Sequence, residues 1–471
     1  MNELMVAVFN IISSLIIIYF FLVNTIYIIL IILSIIGIYR YTNLTSYVKF
    51  KELFFLPFIK PISILAPAHN EENIIVESVN SLLSIEYPRF EIIVINDGST
   101  DSTLEKLKYA FDLDVIHKVF RKTINTKPIK KIHLSKTNPK LTVIDKEQGQ
   151  KADALNAGLN VSKYPLFCAI DCDSLLEKDS LLKLVKPFLE EPDKTVAAGG
   201  IVRLSNGCQV KSGQVKDIQI PKNWFARFQI IEYFRAFLGG RLGLNMLKSL
   251  LIISGAFGLF RKDIALKCGG YRTNTGGEDM DLIVRIKKHL HKQKKPHKIN
   301  FIPDPVCWTE APETIKGLSN QRNRWHRGLI ETLIHNIKMF FNPRYGITGM
   351  LAFPFYVIFE MCGPLIELMG YLLFIVLVLL GRINLPFALL FFVVAVVLGI
   401  ILSVTALLLE EFSKQCYSQL KDISLITLAG IAENFIYRQF LSMVRTKAFF
   451  DLAKGKTTWG KIKKKGFKQE N

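Results

Sequence analysis

Three carboxylate clusters, one lysine and one arginine–tryptophan segment hold the residues best suited to chemistry. Asp171-Cys172-Asp173 places two carboxylates at i and i+2, immediately after the apolar run Leu166–Ile170. Such a pair, where a chain leaves a sheet, suits Mg2+ or Mn2+, which take one or two carboxylates together with diphosphate oxygens. Asp97 lies in Ile95-Asn-Asp-Gly-Ser-Thr-Asp101, after another apolar run. Its carboxylate can bond a nucleobase, with Ser99 and Thr100 helping to seat it. Lys151, in Gln150-Lys-Ala-Asp-Ala-Leu-Asn156, enters a helix where the macrodipole favours an anion. A diphosphate nearby would resolve that conflict. Asp279, in Gly276-Gly-Glu-Asp-Met-Asp281, can serve as a general base toward an acceptor hydroxyl. Gln321-Arg-Asn-Arg-Trp-His-Arg327 joins an aromatic face to arginines that can clamp a diphosphate.

Each cluster alone has a plainer reading. A turn or helix cap explains most Asp-x-Asp pairs, and Asp97-Gly98 has the composition of a turn. Lys151 reads equally as a solvated lysine, and the acids after Gly277 as N-terminal capping. Trp325 beside arginines also suits a membrane interface. The surrounding pattern favours chemistry. Ile62–Pro67, Phe90–Ile95, Leu141–Ile144 and Leu166–Ile170 are short apolar runs, alternating with helical periodicity at Val76/Val79/Leu82 and Leu155/Leu159. That alternation predicts a parallel sheet covered on both faces. Ligands in such sheets bind beyond the carboxyl ends of the strands, where His69-Asn70-Glu71, Asn96-Asp97-Gly98 and Asp171-Cys172-Asp173 all fall. No Gly-x-Gly-x-x-Gly or Walker loop is present, which disfavours dinucleotide enzymes and P-loop ATPases.

Polar and apolar stretches are segregated, since mean hydropathy is +0.28 although 21% of residues are charged. Val8–Tyr39 carries no charge and would span about 45–50 Å as a helix, ample for a bilayer core of roughly 30 Å. Ile347–Leu380 and Leu385–Leu409 are strongly apolar, and Ile423–Val444 is apolar apart from Glu433, Arg438 and Gln439. The expected organisation is a transmembrane helix over 1–45, a cytosolic domain over 46–344, transmembrane and interfacial helices over 345–444, and a basic cytosolic tail over 445–471. Net charge is +20, but Arg40, Lys49, Lys51 and the stretch Lys447–Lys468 flank apolar segments. The positive-inside rule and anionic membrane lipids explain that pattern without nucleic acid. It also predicts a multi-pass protein of the cytoplasmic membrane with its domain on the cytosolic side. Lys118–Lys140, with eight Lys/Arg and no acid, reads as a solvated or lipid-facing insertion between strands. The seven cysteines show no CxxC pair or zinc-ligand spacing, in keeping with free thiols in a reducing compartment.

The joint order of the motifs, over roughly Pro61–Gly328, resembles the family 2 inverting glycosyltransferases. That group holds cellulose, chitin, hyaluronan and poly-N-acetylglucosamine synthases. The resemblance implies a GT-A glycosyltransferase domain, α/β in class, flanked by transmembrane and interfacial helices. It implies that Asp97 and Lys151 bind the nucleotide of a UDP-sugar, that Asp171 lies near the donor and that Asp173 binds Mg2+ or Mn2+. Asp279 would be the catalytic base, with Glu278 beside it. Gln321 and Arg324 would meet the donor diphosphate and Trp325 the acceptor sugar. Ser254-Gly255, in Ser254-Gly-Ala-Phe-Gly258, resembles the floor of the acceptor site. Asn96 stands where the family often has a first Asp, and Ser254-Gly-Ala stands where cellulose synthases carry Cys-Gly, so the look is toward the smaller poly-N-acetylglucosamine-synthase-like proteins. The implied activity is processive synthesis of a β-linked exopolysaccharide coupled to secretion, with a secretion or accessory subunit as a further partner. A single transfer to a membrane lipid acceptor is the other enzymatic reading, and a silent membrane scaffold is the non-enzymatic one. Pro364 is expected to split Ile347–Leu380 into an interfacial helix and one span, leaving Ile423–Val444 on the membrane surface with Glu433 and Arg438 wetted and two later crossings; the alternative is that both halves and Ile423–Val444 all span, which gives four.

Overall fold

The computed structural model describes residues 3–45, 50–211, 213–413, 416–417 and 419–455. Among the described residues twelve strands are formed: β1 (Ile62–Ala68), β2 (Phe90–Asp97), β3 (Leu113–Ile116), β4 (Ile129–Ser135), β5 (Leu141–Lys146), β6 (Leu166–Ile170), β7 (Ser174–Leu176), β8 (Thr195–Leu204), β9 (Gln209–Lys211), β10 (Gln214–Asp217), β11 (Phe257–Arg261) and β12 (Lys298–Thr309). Ten of them make one mixed sheet in the order β3-β4-β5-β2-β1-β6-β11-β8-β12-β7, and β9 and β10 form a separate hairpin. At its centre β5, β2, β1 and β6 run parallel. Strands β11 and β4 join antiparallel. The parallel strands are continuous apolar runs because both their faces are covered; β2 and β6 are buried throughout. On one face the helix Ile75–Leu83 presents Ile75, Val79 and Leu82, a three-to-four-residue repeat that leaves its polar side to solvent. Each such side chain stabilises the fold by about 1.5–3 kcal/mol on burial.

The basic segment after residue 117 is only partly an insertion. Its second half is β4, which buries Ile132 and His133 and lies between β3 and β5. The lysines of this strand fall on exposed positions, so the charge run conceals a strand.

Three described helices are long and apolar enough to cross a membrane: Ile11–Asn43, Thr348–Leu379 and Leu385–Ser413. The second is broken by a bend at Cys362, and Pro364 sits in the first turn of the helix that follows, where its missing N–H costs nothing. The first helix docks directly on the catalytic side of the molecule. A Cβ at Gly243 would lie 2.4 Å from the Leu30 carbonyl oxygen, so the helix Leu242–Met246 meets it backbone to backbone. Ser34 donates to the Gly239 carbonyl at 3.0 Å and Tyr41 to Asp304 at 2.5 Å.

The expectation that Glu433 is wetted fails. Its side chain is fully buried, ion-paired with Arg235 and bonded by the Ser403 hydroxyl at 2.6 Å. Arg438 is half-buried and donates to Asn434. The apolar stretch is two helices, Leu420–Ala432 and Tyr437–Ala453, and the polar residues sit at the joint between them. Burying a carboxylate demands a cation and hydrogen bonds, and Arg235 of the sheet-bearing part supplies them. The helix Tyr437–Ala453 continues across 444/445, and residues 456–471 of the basic tail lie outside the described residues. A second buried pair, Arg203 of β8 with Glu410 of the helix Leu398–Ser413, makes two contacts of 2.7 Å. It ties the sheet to an apolar helix.

Candidate active site

The carboxyl ends of β1, β2 and β6 open into a cavity of about 1250 Å3. Its walls carry Asp97, Lys151, Asp171, Asp173, Ser254, Gly255, Glu278, Asp279, Gln321, Arg324 and Trp325, whereas Ser99 and Thr100 are not among its lining residues. The same cavity continues past Arg241 to Asn24, Tyr27, Phe355, Glu360, Val394 and Leu402, which belong to the three long apolar helices.

Asp97 ends β2 and is buried. Its Oδ1 accepts from Lys146 Nζ at 2.7 Å and from the Gly149 N–H at 2.9 Å. Next to it His69 Nδ1 meets the Asp97 carbonyl oxygen at 2.9 Å, and Asn70 bridges to Ser99 and Thr100 at the following turn. Gly98 has a φ of +62°, so the turn needs a glycine there.

Lys151, in the first turn of the helix Gln150–Val161, reaches across to the other half of the site. Its ammonium forms an ion pair with Asp171, lies 3.7 Å from Glu278, and donates to the Gly255 carbonyl at 3.2 Å. Burial works against this charge, but Asp171 and Glu278 outweigh it and hold the proton above the ordinary lysine range. Glu278 is pushed up to about 7, chiefly by burial, with Lys151 opposing and Asp279 adding to the rise.

Asp279 opens the helix Glu278–Lys292. Its Oδ2 accepts from the Gly255 N–H at 2.9 Å and its Oδ1 from the Met280 N–H at 2.8 Å. A Cβ at Gly255 would sit 3.1 Å from Lys151 Nζ and 3.3 Å from Asp279 Oδ2, so this loop passes tightly between the two side chains. The helix Ile315–His335 carries Gln321, Arg324 and Trp325. It packs on the start of the Asp279 helix without intervening side chains: a Cβ on Gly328 would lie 2.4 Å from the Gly277 nitrogen. Glu331 clamps the joint by accepting from Thr275 Oγ1 and the Gly276 N–H, both at 2.9 Å. The Trp325 indole is 41% exposed, with the Arg322 guanidinium 4.3 Å from its ring centroid.

Asp171 and Asp173 offer a hard cation two carboxylates beside the cationic and acidic groups above. Among the described residues no group of three or more His, Cys, Asp or Glu gathers as a metal site. A cation held by two carboxylates alone would have to complete its shell with phosphate and water oxygens, as Mg2+ and Mn2+ commonly do.

Sequence reasoning missed Lys146, Arg322 and Glu232. Arg322 is buried, bonds Gln321 at 2.5 Å and Glu232 at 2.7 Å, and Glu232 also accepts from Tyr437 at 3.0 Å. Glu232 sits in an apolar-rich stretch with no motif around it. Lys146 had one signal, a lysine ending an apolar strand that would lie beside Asp97.

The ordered sheet, the acidic strand ends and the flanking apolar helices define a GT-A-like glycosyltransferase fold in a membrane protein. The chain belongs to the glycosyl transferase family group 2, whose sequence model matches residues 166–404; the model described as glycosyl transferase family 2 matches residues 63–133. A poly-beta-1,6-N-acetyl-D-glucosamine synthase of Staphylococcus epidermidis is 30% identical over 279 residues, 59% of this chain and 57% of the relative. One from Staphylococcus aureus (strain MSSA476) is 26% identical over 301 residues, 64% of this chain and 60% of the relative. The chain thus spans less than two thirds of the length of these relatives. Among solved structures, the mannosyltransferase PcManGT from Pyrobaculum calidifontis in complex with GDP-Man and Mn2+ superposes with a TM-score of 0.51 at 17% identity. That match covers 86% of this chain and 99% of the other, and it supports the fold.

Proposed function

We propose that the chain is a membrane-embedded, inverting glycosyltransferase that extends a β-linked polysaccharide from a UDP-sugar, with an N-acetylhexosamine as the favoured unit. The observation that carries this reading is the single cavity that joins the acidic strand ends to residues of all three long apolar helices. A growing chain would occupy that continuation, and the hexosamine follows the two staphylococcal relatives. The domain of residues 46–344 is taken to lie on the cytosolic side, because Arg40, Lys49 and Lys51 follow the first apolar helix.

In this reading Asp97 bonds the base of the donor, while Lys151 and Arg324 face its diphosphate. Asp173, with Asp171, would hold Mg2+ or Mn2+, which when bound supplies positive charge against the diphosphate. The Trp325 ring gives the acceptor sugar an apolar face to rest on. Asp279 takes the proton of the acceptor hydroxyl as its oxygen bonds the anomeric carbon and the bond to the nucleoside diphosphate breaks. One displacement inverts the configuration, so no nucleophile on the chain is required. Positioning and preorganised charge provide the acceleration. Incubation of the purified chain in nanodiscs with radiolabelled UDP-N-acetylglucosamine or UDP-glucose tests the proposal. The expected product is a size ladder reaching high mass. A single organic-extractable glycolipid would overturn polymerisation, and no transfer from any UDP-sugar would overturn the donor class.

A further inference from the structure

Lys146 is fully buried, an unusual place for a lysine, and it lies outside the groups considered above as ligands. It ends β5 in direct register with Asp97 on the parallel strand β2. Its ammonium is 2.7 Å from Asp97 Oδ1, 2.7 Å from Asp153 Oδ2, and donates to the Glu147 carbonyl at 2.5 Å. Two of its N–H donors go to Asp97 and the Glu147 carbonyl, and Asp153 completes the cluster as an ion pair. The carboxylates of Asp97 and Asp153 are nearly as buried, at 5% and 8% exposure.

The frame around this triad is closed. Asn96, one residue before Asp97, donates to Asp145 at 2.8 Å, which repeats the cross-strand link one rung back. Asp153 also accepts from the Lys127 N–H, at 3.1 and 3.3 Å. Gly149 donates to Asp97, and a Cβ there would lie 2.4 Å from Asp153 Oδ2, so the loop is pressed against the triad. Lys146 and the Gly149 N–H converge on Oδ1 of Asp97, which leaves Oδ2 for a ligand in the cavity.

A carboxylate fixed in this way is an acceptor only. Uracil presents a ring N–H between two carbonyls, whereas cytosine presents a ring-nitrogen lone pair at the same place. A site built to accept an N–H rejects an analogue that lacks it far more strongly than an apolar pocket would. We propose that Lys146, braced by Asp153, is a positioning residue that fixes Asp97 as an acceptor and thereby selects uracil over cytosine in the donor. The inference rests on the reading of Asp97 as the base contact.

Isothermal titration of the full chain in nanodiscs with UDP and with CDP, each with Mn2+, tests it. The wild type should bind UDP well ahead of CDP. Lys146→Met leaves two carboxylates facing each other without their cation, and such a pair retains a proton. UDP affinity should then fall about 10–100-fold, the range of a lost hydrogen bond to a charged group. The UDP/CDP ratio should collapse toward one. Lys146→Met combined with Asp153→Asn has the wild-type net charge and should show the same loss, which guards against a folding defect from two unpaired acids. Asp97→Asn is the control for the underlying reading. If Asp97→Asn weakens UDP while both Lys146 variants keep the wild-type affinity and ratio, the role of Lys146 is refuted and the base contact stands. If Asp97→Asn leaves UDP binding unchanged, the base contact itself falls. A uniform loss of UDP and CDP, or failure of both Lys146 variants to fold, makes Lys146 a structural residue and overturns the proposal.

Discussion

Replacing Asp279 by Asn separates the base from the scaffold around it, and the geometry sets the size of the effect. The two carboxylate oxygens receive separate backbone donors, Gly255 N–H at Oδ2 and Met280 N–H at Oδ1. An Asn amide keeps one acceptor and turns the other position into a donor. With the oxygen kept toward Met280, the amide nitrogen confronts the Gly255 N–H. A donor left facing a donor costs about 1–3 kcal/mol, borne by the loop that floors the acceptor side. Loss of the base itself removes about 10²–10⁴-fold in rate. Transfer should therefore fall by at least about 10²-fold, and acceptor use should weaken further as the Ser254-Gly255 loop shifts. UDP binding should fall far less than transfer, because the Asp97 end of the cavity is untouched and only the Lys151–Gly255 contact lies on the shifted loop. Radiolabelled transfer measured against UDP titration on the same sample reads both. Transfer within about threefold of wild type would refute the assignment of Asp279 as base, the benchmark being the smallest general-base effect.

Asp173→Ala should abolish the dependence of UDP binding on Mn2+; an unchanged metal titration would dismiss Asp173 as a ligand. Trp325→Ala should shorten the products while UDP affinity holds, and an equal loss of both would make the ring structural. Glu410→Ala strands the Arg203 guanidinium, which is 2% exposed, and should cost about 3–5 kcal/mol, seen as a fall in Tm. Arg203→Met with Glu410→Leu should restore most of it; no restoration would mean that the pair does more than satisfy itself. Lys287, whose Nζ donates to the Lys248 carbonyl at 3.0 Å, is pushed down to about 7 by burial. Between that value and its ordinary 10.5 the unfolded chain binds a proton that the folded chain does not, so stability rises with pH across this window and is lost as pH falls through about 7. Lys287→Met should flatten that slope, and an unchanged Tm profile between pH 7 and 10 would refute the account.

The strands that carry Asp97 and Asp171 were legible because a short apolar run ending in polar residues is what a buried parallel strand looks like. So were β1 and β5, read from Ile62–Pro67 and Leu141–Ile144, whereas several others were hidden by local composition. β4 is masked by lysines, β8 contains Gly199-Gly200 and Arg203, and β12 contains Pro303 and Pro305, where its pairing with β8 shifts register. In the site, residues carried by motifs were found, and most of them line one cavity. Lys146, Arg322 and Glu232 act through partners remote in sequence: Lys146 is 49 residues from Asp97, and Arg322 is 90 from Glu232. No periodicity encodes such pairs. Glu433 was misplaced for the same reason, since a charge in an apolar stretch looks expensive until the cation that meets it is known.

The glycine joint between Gly277 and Gly328 sets how the two halves of the site can move. With no side chains between them, the helix bearing Asp279 and the helix bearing Trp325 are separated by the thickness of two backbones, and Glu331 pins the contact. A tilt of the helix Ile315–His335, whose end leads through residues 336–347 to the apolar helices, carries Asp279 with it. The joint therefore holds the helix start at Asp279 and the helix of Trp325 in a fixed relation. Lys151 links this joint to the strand ends, tied at once to Asp171 on the strand side and to Glu278 and Gly255 on the other. Lysine, long and with three rotatable donors, suits a contact that must reach partners on both sides at once.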